Sequence, residues 1–254
     1  MVRSPARGRR PARRLVRPTT RPPTRPTVRP TVAAVVLGLI ALLGISAACA
    51  PQTTVSPTRA APRAPAPTKY VLLTFDDGPD PKYTPQILAI LKQYGAEATF
   101  FEVGQNVGKH PDLTRKVHEE GHSVQNHTWS HPDLRKLSSA NLTSQVEKTD
   151  RAIRAQTGYT PRCLRPPYGG VNTAVAKRLD SLDKVIRLWT VDSHDWERPG
   201  TSVIVKRVLT GVKDGSVVLM HDGGGNRSQT LDALPTILKT LQSEGYGFAA
   251  TWCK

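Results

Sequence analysis

Acidic residues are missing from the first 75 positions of this chain, and the first carboxylate side chain among its 254 residues is Asp76. Residues 1–30 contain ten Arg, whereas from Thr68 onward 24 Lys and Arg stand against 20 Asp and Glu. The formal net charge of +16 therefore belongs mainly to the N-terminal tail, and the remainder carries only about +4. A nucleic-acid-binding domain needs its basic residues on a folded face. This charge distribution excludes nucleic acid as a partner.

Long apolar runs are equally scarce, and the single one extends from Val32 to Cys49. One run excludes a protein with several membrane spans, because each span needs about 20 apolar residues. The Arg-rich stretch before the run and the small residues at its end are typical of an export signal. We expect residues 1–49 to direct export, with three alternatives: lipidation of Cys49, cleavage to a free form, or retention as a membrane anchor.

The composition changes after Cys49. Residues 50–68 are rich in Pro, Ala and Thr, and such a segment buries too little apolar surface to fold. We expect a disordered tether there and a folded domain over residues 69–254. Cysteine is rare, with three in the chain. In an exported domain Cys163 and Cys253 are expected to form a disulfide, the alternative being two free buried thiols.

Short apolar runs alternate with stretches of helical periodicity from Tyr70 to the C-terminus. Such alternation is typical of parallel strands joined by right-handed helical crossovers. Polar clusters follow five of these runs, and a barrel gathers all its strand ends at one rim, whereas an open sheet uses one crevice. We therefore predict an α/β fold, a distorted (β/α) barrel with about seven parallel strands and its site at the C-terminal rim. The predicted strands are Tyr70–Phe75, Ala98–Val103, Ser123–Asn126, Cys163–Arg165, Val185–Val191, Ser216–Met220 and Gly247–Trp252. The predicted helices are Thr84–Tyr94, Pro111–Glu120, Ser138–Thr157, Asn172–Leu182, Thr201–Lys213 and Thr230–Glu244.

Two polar clusters contain the residue types of a metal site. Asp76 and Asp77 are adjacent at the end of the first strand, where two carboxylates repel unless a cation or strong donors lie close; a simple Asp-Gly-Pro turn is the alternative. His127 and His131 are four residues apart, a spacing that suits a divalent metal, although two surface histidines would look the same. Together with Asp77 they form a set of two His and one carboxylate, which leaves a position open for water, as catalytic zinc sites require.

The remaining clusters suggest acid–base chemistry. Arg165 is expected to pair with Asp76, orient it and lower its pKa. His221, at the tip of a strand, has the chemistry of a general acid, and Asp192 is the carboxylate predicted to orient it. The alternative for His221 is a hydrogen-bonded histidine on the rim.

Five short motifs, all at strand ends and in this order, resemble those of the polysaccharide deacetylase family, carbohydrate esterase family four. Its members include deacetylases of chitin, of peptidoglycan N-acetylglucosamine and of acetylated xylan. The resemblance covers about residues 69–254 and implies a distorted barrel of βα repeats. The matching segments are Thr74–Pro79, His127–His131, Arg165–Tyr168, Asp192–Trp196 and Leu219–His221.

The resemblance implies one divalent metal ion held by Asp77, His127 and His131. Zn²⁺ is the expected metal, with Co²⁺ or Ni²⁺ as alternatives, and its expected task is to activate water. Asp76 is implied to accept a proton from that water. His221 is implied to protonate the leaving amine.

The resemblance also implies supporting residues. Arg165 would support the base and Asp192 the acid. The backbone N–H of Tyr168 would stabilise the oxyanion, and Trp196 and Leu219 would form the walls of the acetyl pocket, although core packing is an alternative for Trp196.

The leading hypothesis is therefore an exported, metal-dependent hydrolase of carbon–nitrogen bonds. It would remove N-acetyl groups from N-acetylglucosamine glycans such as peptidoglycan or chitin oligosaccharides and release acetate. Alternatives are O-deacetylation of acetylxylan at the same site, a barrel that binds glycan without cleaving it, and a structural wall-tethering protein. We expect a monomer outside the cell or at the outer face of its membrane or wall, with the N-terminal segment contacting the membrane.

Overall fold

The computed structural model describes residues 66–251 and Cys253. The predicted export segment and most of the predicted tether lie outside these residues. Within residues 66–251, no helix is both long and apolar enough to cross a membrane.

Strands and helices alternate as the periodicity predicts, with a few additions. The strands are β1 (Lys69–Asp76), β2 (Ala98–Glu102), β3 (Ser123–Asn126), β4 (Cys163–Leu164), β5 (Val185–Ile186), β6 (Val191–Asp192), β7 (Val217–His221) and β8 (Tyr246–Phe248). The helices are α1 (Thr84–Gln93), α2 (Gly104–Lys109), α3 (Pro111–Glu119), α4 (Ser139–Thr157), α5 (Thr173–Asp180), α6 (Thr201–Gly211) and α7 (Ser228–Ser243). Short 3₁₀ turns cover Leu134–Lys136, Pro167–Gly169 and Asp195–Glu197.

The strands form one parallel sheet in the order β5-β4-β3-β2-β1-β7-β6, and β8 pairs with the beginning of β1. The seven strands of the main path curl into a half-barrel, which confirms the predicted fold class. Alternation along β1 separates two layers. Val71, Leu73 and Phe75 are completely buried in the main core with residues of the outer helices, whereas Thr74 and Asp76 lie on the interior face with Arg165.

One predicted strand is wrong. The run Val185–Val191 is divided into β5 and β6, which pair with β4 and β7 at opposite edges of the sheet. Its apolar pattern is that of one strand, but an apolar pattern does not specify a pairing partner, and here the run passes from one edge of the sheet to the other. Among the described strands β5 and β6 form no ladder with each other. The Arg165 side chain donates instead to the carbonyls of Arg187 and Leu188 in the connection, at 3.0 and 3.2 Å.

The C-terminal segment lies at the N-terminal ends of the strands, opposite the rim where the site is predicted. Thr251 N–H donates to the Thr99 hydroxyl, and the Ser123 hydroxyl donates to the Thr251 carbonyl, each at 2.7 Å. Cys253 is joined to Cys163 in β4 by the predicted disulfide, with a Cα–Cα distance of 5.3 Å. The segment thus crosses the first residues of β2, β3 and β4.

Candidate active site and metal centre

Strand register brings the predicted site residues to one rim. Asp76 is the partner of His221 across β1 and β7, and Asp192 is the partner of Leu219 across β6 and β7. A cavity of about 440 Å³ opens there. Nine predicted residues line it, together with Pro166 and Trp189: Asp76, Asp77, His127, His131, Tyr168, Asp192, Trp196, Leu219 and His221.

Asp77, His127 and His131 converge in this cavity. One potential ligand atom from each lies within 4.8 Å of the others. Asp77 Oδ1 is 3.5 Å from His127 Nε2 and 3.3 Å from His131 Nε2. Left-handed backbone at Asp77 (φ 72°) and His131 (φ 57°) accompanies this arrangement.

The protonation state of His127 fits a metal ligand. Its Nδ1 lies 2.6 Å from the Arg165 carbonyl oxygen, a distance that requires Nδ1 to carry the proton and leaves the Nε2 lone pair free. Burial lowers the pKa of His127 to about 3, so the imidazole is neutral at physiological pH. A ligating histidine normally has its second nitrogen bonded in this way, and two imidazoles with one carboxylate suit a divalent ion such as zinc.

Asp76 forms the predicted ion pair with Arg165. Arg165 Nη1 donates to Asp76 Oδ1 at 2.7 Å and to the Thr74 hydroxyl at 2.8 Å, and the Arg165 side chain is completely buried. We expected the pair to lower the pKa of Asp76. Burial raises the pKa of Asp76 more strongly than the Arg165 charge lowers it, so the net shift is upward.

The partner of His221 differs from the predicted one. His221 Nδ1 lies 2.7 Å from Asp195 Oδ1, while Asp195 Oδ2 accepts the His221 N–H at 2.8 Å and the Thr230 hydroxyl at 2.7 Å. The predicted contact with Asp192 is not formed, because its Oδ1 accepts the backbone N–H of His194 at 2.8 Å. Both acids belong to one Asp-Ser-His-Asp motif, and only the turn after β6 places Asp195 beside His221.

The pair of His221 and Asp195 favours imidazolium. Burial alone would lower the pKa of His221, but the hydrogen bond and charge of Asp195 raise it above the ordinary histidine value. Burial likewise acts to raise the pKa of Asp195, and its bonds to His221 and Thr230 bring it below the ordinary value. His221 therefore keeps its proton to a higher pH than an ordinary histidine does.

The cavity walls combine one polar donor with apolar surface. Tyr168 has left-handed backbone (φ 59°), and its N–H makes no hydrogen bond to any other group in the described part of the chain. Leu219 is buried, whereas Trp196 is 52% exposed. Sequence reasoning missed Trp189, which also lines the cavity and lies over the Arg165 guanidinium at 5.7 Å.

Comparisons with known proteins agree with this fold. The family model for polysaccharide deacetylase matches residues 63–185. A chitooligosaccharide deacetylase of Bradyrhizobium sp. (strain ANU 289) is 39% identical over an alignment of 191 residues, and the match covers 70% of this chain and 87% of that relative. The chain therefore belongs to the polysaccharide deacetylase family.

Two further comparisons place the chain within this family. The peptidoglycan-N-acetylglucosamine deacetylase PgdA of Listeria monocytogenes is 43% identical over 180 residues, or 71% of this chain. The match spans only 37% of the length of that relative. A family 4 carbohydrate esterase from Streptomyces lividans, solved in complex with acetate, superposes with a TM-score of 0.68 at 37% identity, covering 72% of this chain and 93% of that one.

Proposed function

We propose that the chain is a metal-dependent hydrolase that removes N-acetyl groups from glycans containing N-acetylglucosamine, such as peptidoglycan or chitin oligosaccharides. The observation that carries this proposal is the content of one cavity: a buried carboxylate, an imidazole that favours its protonated form, and a set of three metal ligands. The peptidoglycan and chitooligosaccharide deacetylases among the relatives support this substrate class.

Asp77, His127 and His131 are the proposed metal ligands, with Zn²⁺ as the expected ion. Bound there, a divalent ion supplies Lewis acidity that polarises a carbonyl and acidifies water. The neutral state of His127 and the orientation of its Nε2 toward Asp77 prepare the site.

Asp76 and His221 are the proposed catalytic base and acid. Asp76 accepts a proton as water attacks the acetyl carbonyl carbon, and Arg165 orients its carboxylate. As the carbon–nitrogen bond breaks, His221 gives its proton to the leaving nitrogen. Acetate and a free amine on the sugar are the products. Asp195 is the proposed residue that orients and charges His221.

The Tyr168 N–H is the proposed protein donor to the oxyanion; removing one such donor costs about 2.7–4 kcal/mol in other enzymes. Trp196 and Leu219 provide apolar surface for the acetyl methyl. A barrel that only binds glycan has no use for both the Asp76–Arg165 pair and the His221–Asp195 pair, so these two pairs support catalysis over binding alone.

The proposed location is outside the cytoplasm. The Cys163–Cys253 disulfide supports an oxidising compartment, and peptidoglycan, the substrate in the name of the Listeria relative, is a wall polymer. We propose residues 1–49 as export signal or anchor, 50–68 as tether, and 69–254 as the catalytic domain of a monomer.

The test is acetate release by the full-length chain, either Zn²⁺-loaded or treated with a chelator. N-acetylated peptidoglycan, chitin oligosaccharides and acetylxylan serve as parallel substrates. We expect metal-dependent release from one of the N-acetylated glycans, and a loss of at least 100-fold in Asp76→Asn, within the range for general acid–base catalysis. Release from acetylxylan alone would move the assignment to O-deacetylation, and a fully active Asp76→Asn variant would contradict the role of the base.

A further inference from the structure

The segment His127–His131, called here the histidine loop, has an unfavourable backbone. Thr128 (φ 68°) and His131 (φ 57°) are both left-handed, a conformation that is uncommon for residues other than glycine and least favourable for a β-branched one. Strain of this kind persists only where the surroundings impose it. Neighbouring groups must therefore hold the loop.

Every N–H group of the histidine loop has an acceptor. Those of His127, Thr128 and His131 donate to the Glu102 carbonyl, the Asn126 side-chain oxygen and the Thr128 hydroxyl, at 3.0, 2.8 and 3.1 Å. Three of the five are thus satisfied within β2, β3 or the loop itself. The other two belong to its tip, Trp129 and Ser130.

One side chain from helix α4 serves both N–H groups at the tip. Gln145 Oε1 accepts from Trp129 N–H and from Ser130 N–H, each at 2.9 Å. Gln145 Nε2 donates to the Ser130 hydroxyl at 3.0 Å. Both polar atoms of the amide are therefore engaged with the loop.

Gln145 belongs to helix α4, which packs against the rest of the fold through a buried stripe. Gln145 lies on the same face of α4 as Leu142 and Thr149, because residues three or four apart share a helix face. Leu142, Val146 and Thr149 are all buried. The loop is also bonded to α2, whose first two N–H groups donate to the carbonyls of Thr128 and Trp129 at 2.9 Å. The loop is bonded between α2 and α4, and on the α4 side Gln145 provides the bonds to its N–H groups.

We propose that Gln145 is a positioning residue for the metal, because it holds the histidine loop in the conformation that presents His131 to Asp77. This inference rests on the proposed ligand set. Without the amide, two adjacent N–H groups lose their acceptor and the left-handed residues relax. His131 Nε2, now 3.3 Å from Asp77 Oδ1, then leaves the ligand position.

The test compares Zn²⁺ affinity, by competition with a chromophoric chelator, between full-length wild type and Gln145→Met. We expect the Kd to rise 10–100-fold, the usual effect of removing a residue that orients a ligand. Gln156→Met is the matched control, since Gln156 lies on the same helix and contacts Arg115 instead. Its Kd should stay within two-fold of wild type. The Co²⁺ absorption spectrum should change in Gln145→Met alone.

Gln145→Glu keeps a side-chain oxygen for the two N–H groups and should restore a Kd near that of wild type, which loss of packing alone would not allow. Equal affinity in wild type and a folded Gln145→Met would overturn the role of Gln145. A folded wild type that binds no Zn²⁺ would instead overturn the proposed ligand set. Should Gln145→Met fail to fold, Gln145→Asn, one methylene too short to reach both N–H groups, replaces it with the same expectation.

Discussion

The charge of His221 depends mainly on the carboxylate of Asp195, with smaller contributions from Asp76 and Asp77. Because Asp195 raises the pKa of His221, Asp195→Asn should move the alkaline limb of the activity profile to lower pH. The proton needed by the leaving group is then lost earlier, and kcat/KM at neutral pH should fall about 100-fold. The measurement is acetate release as a function of pH.

Asp192→Asn is the control for this prediction, since Asp192 accepts from His194 and does not contact His221. Its alkaline limb should stay in place. A shift in Asp192→Asn but not in Asp195→Asn would contradict the assignment made from the hydrogen bonds.

Glu102 makes the stability of the fold depend on pH. Burial raises its pKa from 4.5 to about 8, and among the described residues its carboxyl group has one hydrogen bond, accepted from the Thr114 hydroxyl at 2.6 Å. The folded state therefore holds a proton that the unfolded state releases above pH 4.5. Stability from this group is complete below that pH and is lost as the pH rises toward 8, by up to about 1.4 kcal/mol per pH unit.

Glu102→Gln should remove this part of the pH dependence, because an amide stays neutral and its oxygen still accepts from Thr114. Denaturant unfolding of both proteins between pH 5 and 8.5 measures the difference. Parallel curves would mean that Glu102 is already ionised in the folded protein.

Side-chain chemistry made some site residues predictable and left others hidden. Asp77, His127 and His131 were predicted as a set because ligand types at metal spacing are rare by chance. The sequence did not identify Asp195 rather than Asp192 as the partner of His221. The two acids are three residues apart, and only the conformation of the turn between them determines which one reaches His221. The role of Gln145 could not be predicted from the sequence for another reason. Its partners are backbone N–H groups, which do not depend on residue type apart from proline. Its one signal was an amide on the apolar stripe of a helix.

At the scale of elements, helix α4 offers a test that separates helix stability from loop positioning. The Ser138 hydroxyl accepts the Asn141 N–H at 3.3 Å and so caps the helix. Ser138→Ala should lower the free energy of unfolding by about 1 kcal/mol and leave the Zn²⁺ Kd within two-fold. Chemical denaturation and the chelator competition measure the two quantities. A weakened Kd in Ser138→Ala would mean that general loosening of α4, rather than the Gln145 amide, affects the metal.

Elements with clear local signals were predicted closely. The strand Ser123–Asn126 was predicted with its exact bounds, and α4 was predicted one residue early because its capping serine was counted in the helix. Helix α2 was missed because its six residues include Gly104 and Gly108 and only one apolar side chain. Gly104 is required by packing, since Trp129 and Thr149 occupy the space of a Cβ. Signals of this kind are tertiary and do not appear in periodicity.

At the scale of the whole molecule, the disulfide is a covalent constraint that can be removed. It joins residues 90 positions apart, and a loop of that length corresponds to about 4–5 kcal/mol in the chain-entropy account. The Cys163→Ser/Cys253→Ser variant should therefore melt roughly 10 °C or more below wild type. Calorimetry with and without dithiothreitol is the measurement. Reductant should lower the melting temperature of wild type and leave the variant unchanged; an unaffected wild type would contradict the prediction.

The division of the Val185–Val191 run has a consequence for how copies of this protein behave toward one another. An open sheet exposes two edges whose free backbone groups can recruit strands from other molecules. Here β5 and β6 are two residues each, and the connection between them is bonded from inside by Arg165. Each of these two edge strands is too short to pair stably with a strand from another molecule. The two short edge strands thereby limit edge-to-edge aggregation between copies of this protein.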